Sequence, residues 1–241
     1  EIRNFKNDKD KNKTNLRIKD WKELRIENVS FDYDENQKNY KTLNNINLII
    51  NKGDYIGIHG PSGSGKSTLT DLLMGLLFPS NGKITIDDVN FNQLSRRWQN
   101  SIGYVPQAVY IIDDSIKNNV AFGVPKDEIN DENLDYALRM ANLDQYVNNL
   151  PEKTETRLGE RGTKMSGGQI QRIGIARALY HKPDILILDE ATSQLDIATE
   201  NEIISGLKSL IRDKTIFIIS HRLSSIDDCD RKIEIINGKI K

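Results

Sequence analysis

One cysteine, Cys229, stands in 241 residues, so no disulfide can close within the chain and its stability has to come from a packed core. A lone thiol fits a reducing compartment and reads as plain and unreactive, not catalytic. Charge of one sign is also lacking. The 34 Lys and Arg against 35 Asp and Glu leave a formal net charge of −1, which argues against nucleic acid as a polyelectrolyte partner. Long apolar runs are missing as well: nothing approaches the roughly 20 residues that a membrane-spanning helix needs. No signal peptide is recognised ahead of the domain, so by itself this polypeptide is expected not to cross a bilayer, and any membrane role needs other segments. Internal repeats are absent too. What the length does allow is one substantial α/β domain, with lobes, large enough to bury a core without staples.

Glycine, by contrast, is concentrated where it says most. The run Gly60-Pro61-Ser62-Gly63-Ser64-Gly65-Lys66-Ser67-Thr68 has the residue types and spacing of a loop that cradles a nucleoside triphosphate. Glycines let the backbone curl so that successive N–H groups point at phosphate oxygens, the Lys66 ammonium can reach the β- and γ-phosphates, and Ser67 can ligate Mg²⁺. Its surroundings agree. Tyr55-Ile56-Gly57-Ile58 reads as a buried strand, and Leu69, Leu72, Leu73, Leu76 and Leu77 follow at helical spacing, so a helix N-terminus faces the phosphates. A Gly/Ser linker would not sit between a strand and an amphipathic helix.

Residues 1–20, rich in Lys, Asn and Asp, show no periodic apolar face and read as a solvated arm or linker. From Leu24 the alternation Leu24, Ile26, Val29, Phe31 begins a strand. Leu43, Ile46, Leu48 and Ile50, then Ile84, Ile86 and Val89, supply more, predicting a β-rich lobe around the phosphate loop. Between about Asp113 and Tyr180 the pattern turns helical, with Leu134, Ala137, Leu138 and Ala141 on one face behind a cap at Asn130 or Asp131. Ile185–Leu188 and Thr215–Ile219 are continuous apolar runs, as expected of strands covered on both faces. Asn237-Gly238 predicts a closing hairpin.

Asp189 and Glu190 end one of those runs, which places two carboxylates at the tip of a buried strand, where parallel α/β sheets bind ligands. The first suits Mg²⁺ and the second a base for the water that attacks a γ-phosphate. Met165-Ser166-Gly167-Gly168-Gln169 precedes the amphipathic stretch Ile170–Leu179, so Ser166 and two glycines open a helix and offer a second anion site.

Taken together, Met-Ser-Gly-Gly-Gln at 165 to 169 upstream of Ile185-Leu186-Ile187-Leu188-Asp189-Glu190 resembles the ATP-binding cassette (ABC) ATPases, and the match extends over residues 21–241. The resemblance implies an α/β P-loop NTPase fold with a RecA-like core, an antiparallel β subdomain and an inserted α-helical subdomain over about 113–180. It implies ATP and Mg²⁺ as cofactors. Under it Tyr33 stacks on adenine, residues Gly60 to Thr68 hold the phosphates, and Gln107 senses Mg²⁺ and contacts a membrane domain. Ser193 to Asp196 crosses a dimer interface, and His221 contacts the γ-phosphate. Catalysis is expected from Glu190, His221, Gln107 and Lys66, and metal ligation from Ser67, Gln107 and Asp189. The nucleotide lies between the phosphate loop of one subunit and Ser166, Gly167, Gly168 and Gln169 of the other, in a head-to-tail homodimer. Met165 stands where Leu is usual and Gln194 where Ala is usual; neither change removes a catalytic group. For His59, where a small apolar residue is common, no functional account is offered.

Ser115–Gly123 and Leu158-Gly159-Glu160-Arg161-Gly162 resemble segments that exporters of this family carry and importers usually lack. The expectation is therefore the nucleotide-binding domain of an exporter or flippase on the cytoplasmic face of the inner membrane, with 1–20 leading from a transmembrane domain of the same chain. The stretch Asp71–Asp87 resembles lipid-linked oligosaccharide flippases. The alternative, a soluble ABC ATPase acting on ribosomes or DNA, fits less well. DNA-repair members split the head with a long coiled coil, and translation members carry two cassettes.

Overall fold

The computed structural model describes residues 18, 20–33, 42–193 and 195–241, so most of the arm at 1–20 and Gln194 lie outside the described residues. Numbered in chain order, β1 (Glu23–Phe31), β2 (Leu43–Asn51), β4 (Asn81–Ile86) and β5 (Val89–Asn90) form an antiparallel sheet in the order β2-β1-β4-β5. A six-stranded sheet joins β3 (Tyr55–His59), β6 (Ile102–Val105), β7 (Ile185–Asp189), β8 (Thr215–Ile219), β9 (Arg231–Ile236) and β10 (Lys239–Ile240) in the order β10-β9-β3-β8-β7-β6. Its pairs are parallel except the β9–β10 hairpin, which turns at Asn237 and Gly238. The helices are α1 (Lys66–Leu73), α2 (Phe91–Gln99), α3 (Ile116–Val120), α4 (Asp131–Met140), α5 (Asp144–Asn148), α6 (Gly167–Leu179) and α7 (Ile197–Lys208). Among the described residues, no helix is long and apolar enough to cross a membrane.

The continuous apolar runs of β7 and β8 are sorted by residue parity. Leu186, Leu188, Ile216 and Ile218 enter one core with Val105, Ile173 and Leu179. Ile185, Ile187, Phe217 and Ile219 enter a second with Leu69, Leu72 and the inner face of the antiparallel sheet, Leu24, Ile26 and Ile46. Successive strand side chains point to opposite faces, so a strand buried on both sides has no place for a polar residue until it ends. Each such side chain contributes about 1.5–3 kcal/mol on burial, against roughly 0–1 for an exposed ion pair. The two cores, not surface pairs such as Lys83–Glu27, therefore hold the fold. Cys229 is buried, and that burial pushes its thiol up to about 11, in keeping with a plain thiol.

The phosphate-loop helix is shorter than its leucine spacing predicts. Leu69, Leu72 and Leu73 are buried, but α1 stops at Leu73 because Gly75 takes a left-handed φ of 69°, and Leu76 is turned out at 60% exposure. Two side chains of α2 finish the helix. Trp98 Nε1 donates to Leu73 O at 2.7 Å and Gln99 Nε2 to Gly75 O at 2.8 Å, pairing carbonyls that a helix end leaves open. Trp98 also packs edge-on against Trp21 and Phe91, with ring centroids 5.1 and 6.1 Å apart, which ties the start of β1 to α1. Trp98→Phe keeps the ring contact and strands a buried carbonyl. It is expected to lower unfolding free energy by about 1–3 kcal/mol in urea titration; an unchanged midpoint would contradict this role.

The register sets the site. Val105 pairs with Leu188, Asp189 with Ile219, and Ile58 with Ile219, so β6, β7, β8 and β3 finish on one edge of the sheet. The chain segments leaving that edge carry Gln107, Glu190, His221 and the glycine-rich loop. Parallel sheets bind ligands at this carboxyl edge.

Candidate functional site

Gly60 opens the loop after β3 with φ 147°, and a Cβ there would lie 2.1 Å from Ile235 O, so only glycine passes this close over β9. The loop closes on itself through Ser64 N–H to Pro61 O at 3.2 Å and is tied to the β9–β10 turn by Gly238 N–H to Ser64 O at 3.0 Å. Helix α1 then starts after Gly65 with no side-chain cap and no acid in its first turn, which leaves the N-terminal N–H groups without a side-chain partner. Lys66 is 6% exposed, and its Nζ donates to Gly60 O at 2.9 Å and Pro61 O at 3.0 Å. Burial pulls the Lys66 pKa below its ordinary value, opposed by the charges of Glu190 and Asp189. Ser64 Oγ is buried without a hydrogen-bond partner. Pro61, Ser62, Gly63 and Ser67 are exposed, and Thr68 is buried with its Oγ1 3.4 Å from Tyr33 OH. An uncapped helix start, an orphan hydroxyl and a desolvated ammonium together fit an anionic polyphosphate.

Tyr33 is 66% exposed, and its ring meets Phe31 edge-on at 4.9 Å, which fixes the ring while leaving a face open beside the loop. On the other side, Glu190 is the meeting point. Its Oε2 accepts from Gln107 Nε2 at 2.9 Å, and His221 Nε2 lies against its Oε1. Three residues that the sequence separates by more than 110 positions are thus brought together at the carboxyl edge. Glu190 adopts φ 50°, a left-handed conformation that costs a residue with a Cβ about 1–3 kcal/mol and is held by its N–H donating to Ile219 O at 2.9 Å. Such strain concentrates at functional sites, and no sequence pattern announces it.

Asp189 Oδ2 accepts a hydrogen bond from Tyr104 OH at 3.0 Å. Burial, then the Asp189 charge, pushes the Tyr104 phenol pKa up, so it stays a donor. Sequence reasoning did not single out Tyr104; its place in the strand that leads into Gln107 was the one available signal. Burial and Asp189 also raise the Asp71 carboxyl above its usual range.

Ser166 to Gln169 form a different site. Ser166 caps α6 in a reciprocal box: its Oγ accepts from Gln169 N–H at 3.3 Å, and its own N–H donates to Gln169 Oε1 at 2.9 Å. Gly167 and Gly168 make the first turn, and a Cβ on Gly168 would lie 2.7 Å from Thr199 Cγ2 at the start of α7. The cleft in front, about 570 Å³, is lined by Ser166–Gln169, Arg172, Leu195, Asp196, Thr199 and part of 142–146, and by no residue of 60–68. Lys66, Gln107, Asp189, Glu190 and His221 therefore gather at one place, and Ser166, Gly167, Gly168 and Gln169 at another.

Similarity to known proteins places the chain in a family. The family model described as ABC transporter matches residues 43–193. An uncharacterized ABC transporter ATP-binding protein, YwjA, of Bacillus subtilis (strain 168) is 40% identical over 219 residues, covering 90% of this chain and 37% of that protein. A putative multidrug export ATP-binding/permease protein of Staphylococcus aureus (strain NCTC 8325 / PS 47) is 42% identical over 216 residues, covering 89% of this chain and 37% of the relative. Among solved structures, a bacterial Atm1-family ABC exporter with ATP bound superposes with TM-score 0.80 at 35% identity, covering 93% of this chain and 39% of that one. The chain belongs to the ABC transporter family and has the fold of its ATP-binding ATPase domain. It spans between a third and two fifths of the length of these relatives.

Proposed function

We propose that this chain is the motor of an ABC exporter, binding and hydrolysing ATP in a head-to-tail homodimer that drives a transmembrane domain from the cytoplasmic face of the membrane. The observation that carries the hydrolytic part is the convergence of Gln107 and His221 on Glu190, next to the buried Lys66 and its loop. Tyr33 offers its open face to adenine, Gly60–Thr68 wrap the phosphates, and Lys66 exchanges two carbonyls for phosphate oxygens. Glu190 takes the proton of the attacking water, and His221 holds the γ-phosphate edge of the site. Ser67, Asp189 and Gln107 are the oxygen donors suited to Mg²⁺, which supplies charge neutralisation on the phosphates.

The separation of the Ser166 cleft from the phosphate loop supports the dimer: a second helix start suited to anions opens into a cleft that no residue of the loop of its own chain lines. The names of the relatives support export, and they speak against a ribosome- or DNA-bound machine. Phosphate release from MgATP at high protein concentration, abolished by EDTA, tests the reading. A chain that binds ATP in Mg²⁺ and releases no phosphate contradicts it.

A further inference from the structure

Glu200 is a carboxylate on the first turn of α7, 2% exposed, and none of the roles above uses it. Its Oε1 accepts from Thr192 Oγ1 at 2.7 Å and from Ser225 Oγ, and its Oε2 accepts from Arg222 Nη1 at 3.1 Å. Arg222 directly follows His221. The same guanidinium donates to Leu195 O at 3.1 Å and Ser193 O at 2.9 Å. One buried acid and one arginine thus join the segment after β8, which carries His221, to the segment after β7, which follows Glu190.

The fold gains little from such a pair. Burying a carboxylate is expensive, and an ion pair of this kind is often no more stabilising than well-packed apolar side chains. What the pair does fix is geometry: the planar fork of Arg222 spans a carboxylate and two carbonyls, a set no single apolar contact could orient. The segment it grips is also packed on the other site, because Cβ atoms added at Gly167 and Gly168 would meet Leu195 Cδ2 at 4.0 Å and Thr199 Cγ2 at 2.7 Å. We propose that Glu200 and Arg222 form a positioning clamp that sets His221 against Glu190 and registers this arrangement with the Ser166 end of α6.

The proposal rests on the hydrolytic reading of the site, and its test separates the two. Turnover, ATP affinity and melting temperature are measured for the wild-type chain, Glu200→Gln, Arg222→Gln and the double variant. Each single change is expected to lower kcat about 10- to 100-fold, as small misplacements of catalytic groups do, with Kd for ATP within about twofold. The double variant should lose clearly less than the product of the two single losses, because the two side chains share the Arg222–Glu200 contact. A folded Glu200→Gln with wild-type kcat, or losses that multiply in the double variant, would overturn the clamp while leaving the hydrolytic reading intact. Arg222→Lys, at a side chain 42% exposed, covers the case in which Glu200→Gln does not fold. It keeps the charge and loses the fork, so wild-type kcat there overturns the clamp equally. A wild-type chain with no turnover removes the hydrolytic reading, and the clamp with it.

Discussion

Glu190→Gln lowers phosphate release by about 10²–10⁴-fold while ATP binding survives. The amide keeps the size of the side chain and can still meet Gln107 and His221 by rotating, so the left-handed turn at Glu190 and its N–H bond to Ile219 O are retained. What disappears is the acceptor for the proton of water, equivalent to about 3–5 kcal/mol of barrier. Single-turnover kinetics reads this directly, because it isolates hydrolysis from product release. Near wild-type single-turnover hydrolysis by Glu190→Gln would remove Glu190 from the base role.

Lys66→Met produces a different pattern. Lys66 is 6% exposed, its Nζ donates to two backbone carbonyls, and burial depresses its pKa against the opposing charges of Glu190 and Asp189. Replacing it with an apolar side chain of similar length removes that desolvation cost but leaves the Gly60 and Pro61 carbonyls without their donor, so the melting temperature is expected to change little. Affinity for ATP should fall about 10- to 100-fold, the worth of hydrogen bonds from a charged donor to phosphate. Equilibrium binding of a fluorescent ATP analogue, alongside thermal melts, separates the two effects. Undiminished affinity would show that the loop backbone holds the phosphates unaided.

Much of this was legible in the sequence for identifiable reasons. The apolar runs at 185–188 and 215–219 have the pattern expected of strands covered on both faces, and the glycine-rich run between a strand and leucines at helical spacing favoured a phosphate loop over a linker. Patterns local to a few residues, such as the Asn130 cap of α4 and the Asn237-Gly238 turn, appear where the sequence predicts them. The leucine spacing failed at Leu76, since Gly75 ends α1 by a conformation that periodicity does not register. The 113–180 stretch is also less continuous than its pattern, with short 3₁₀ turns at Lys126–Glu128, Lys153–Glu155 and Glu160–Gly162 between the helices. Tyr104 on Asp189, and Glu200 on Arg222, were invisible because each pair is made by the sheet: residues 85 and 22 positions apart meet only after the strands pair.

The shared nucleotide site is the central claim, and the mass of the Glu190→Gln chain in solution tests it most directly. Light scattering at high protein concentration, with and without MgATP, should show a dimer only with nucleotide. Ser166→Arg, which crowds the α6 cleft and leaves the phosphate loop intact, should abolish that dimer without abolishing ATP binding. A chain that binds MgATP and remains monomeric, or a dimer indifferent to Ser166→Arg, would contradict the claim.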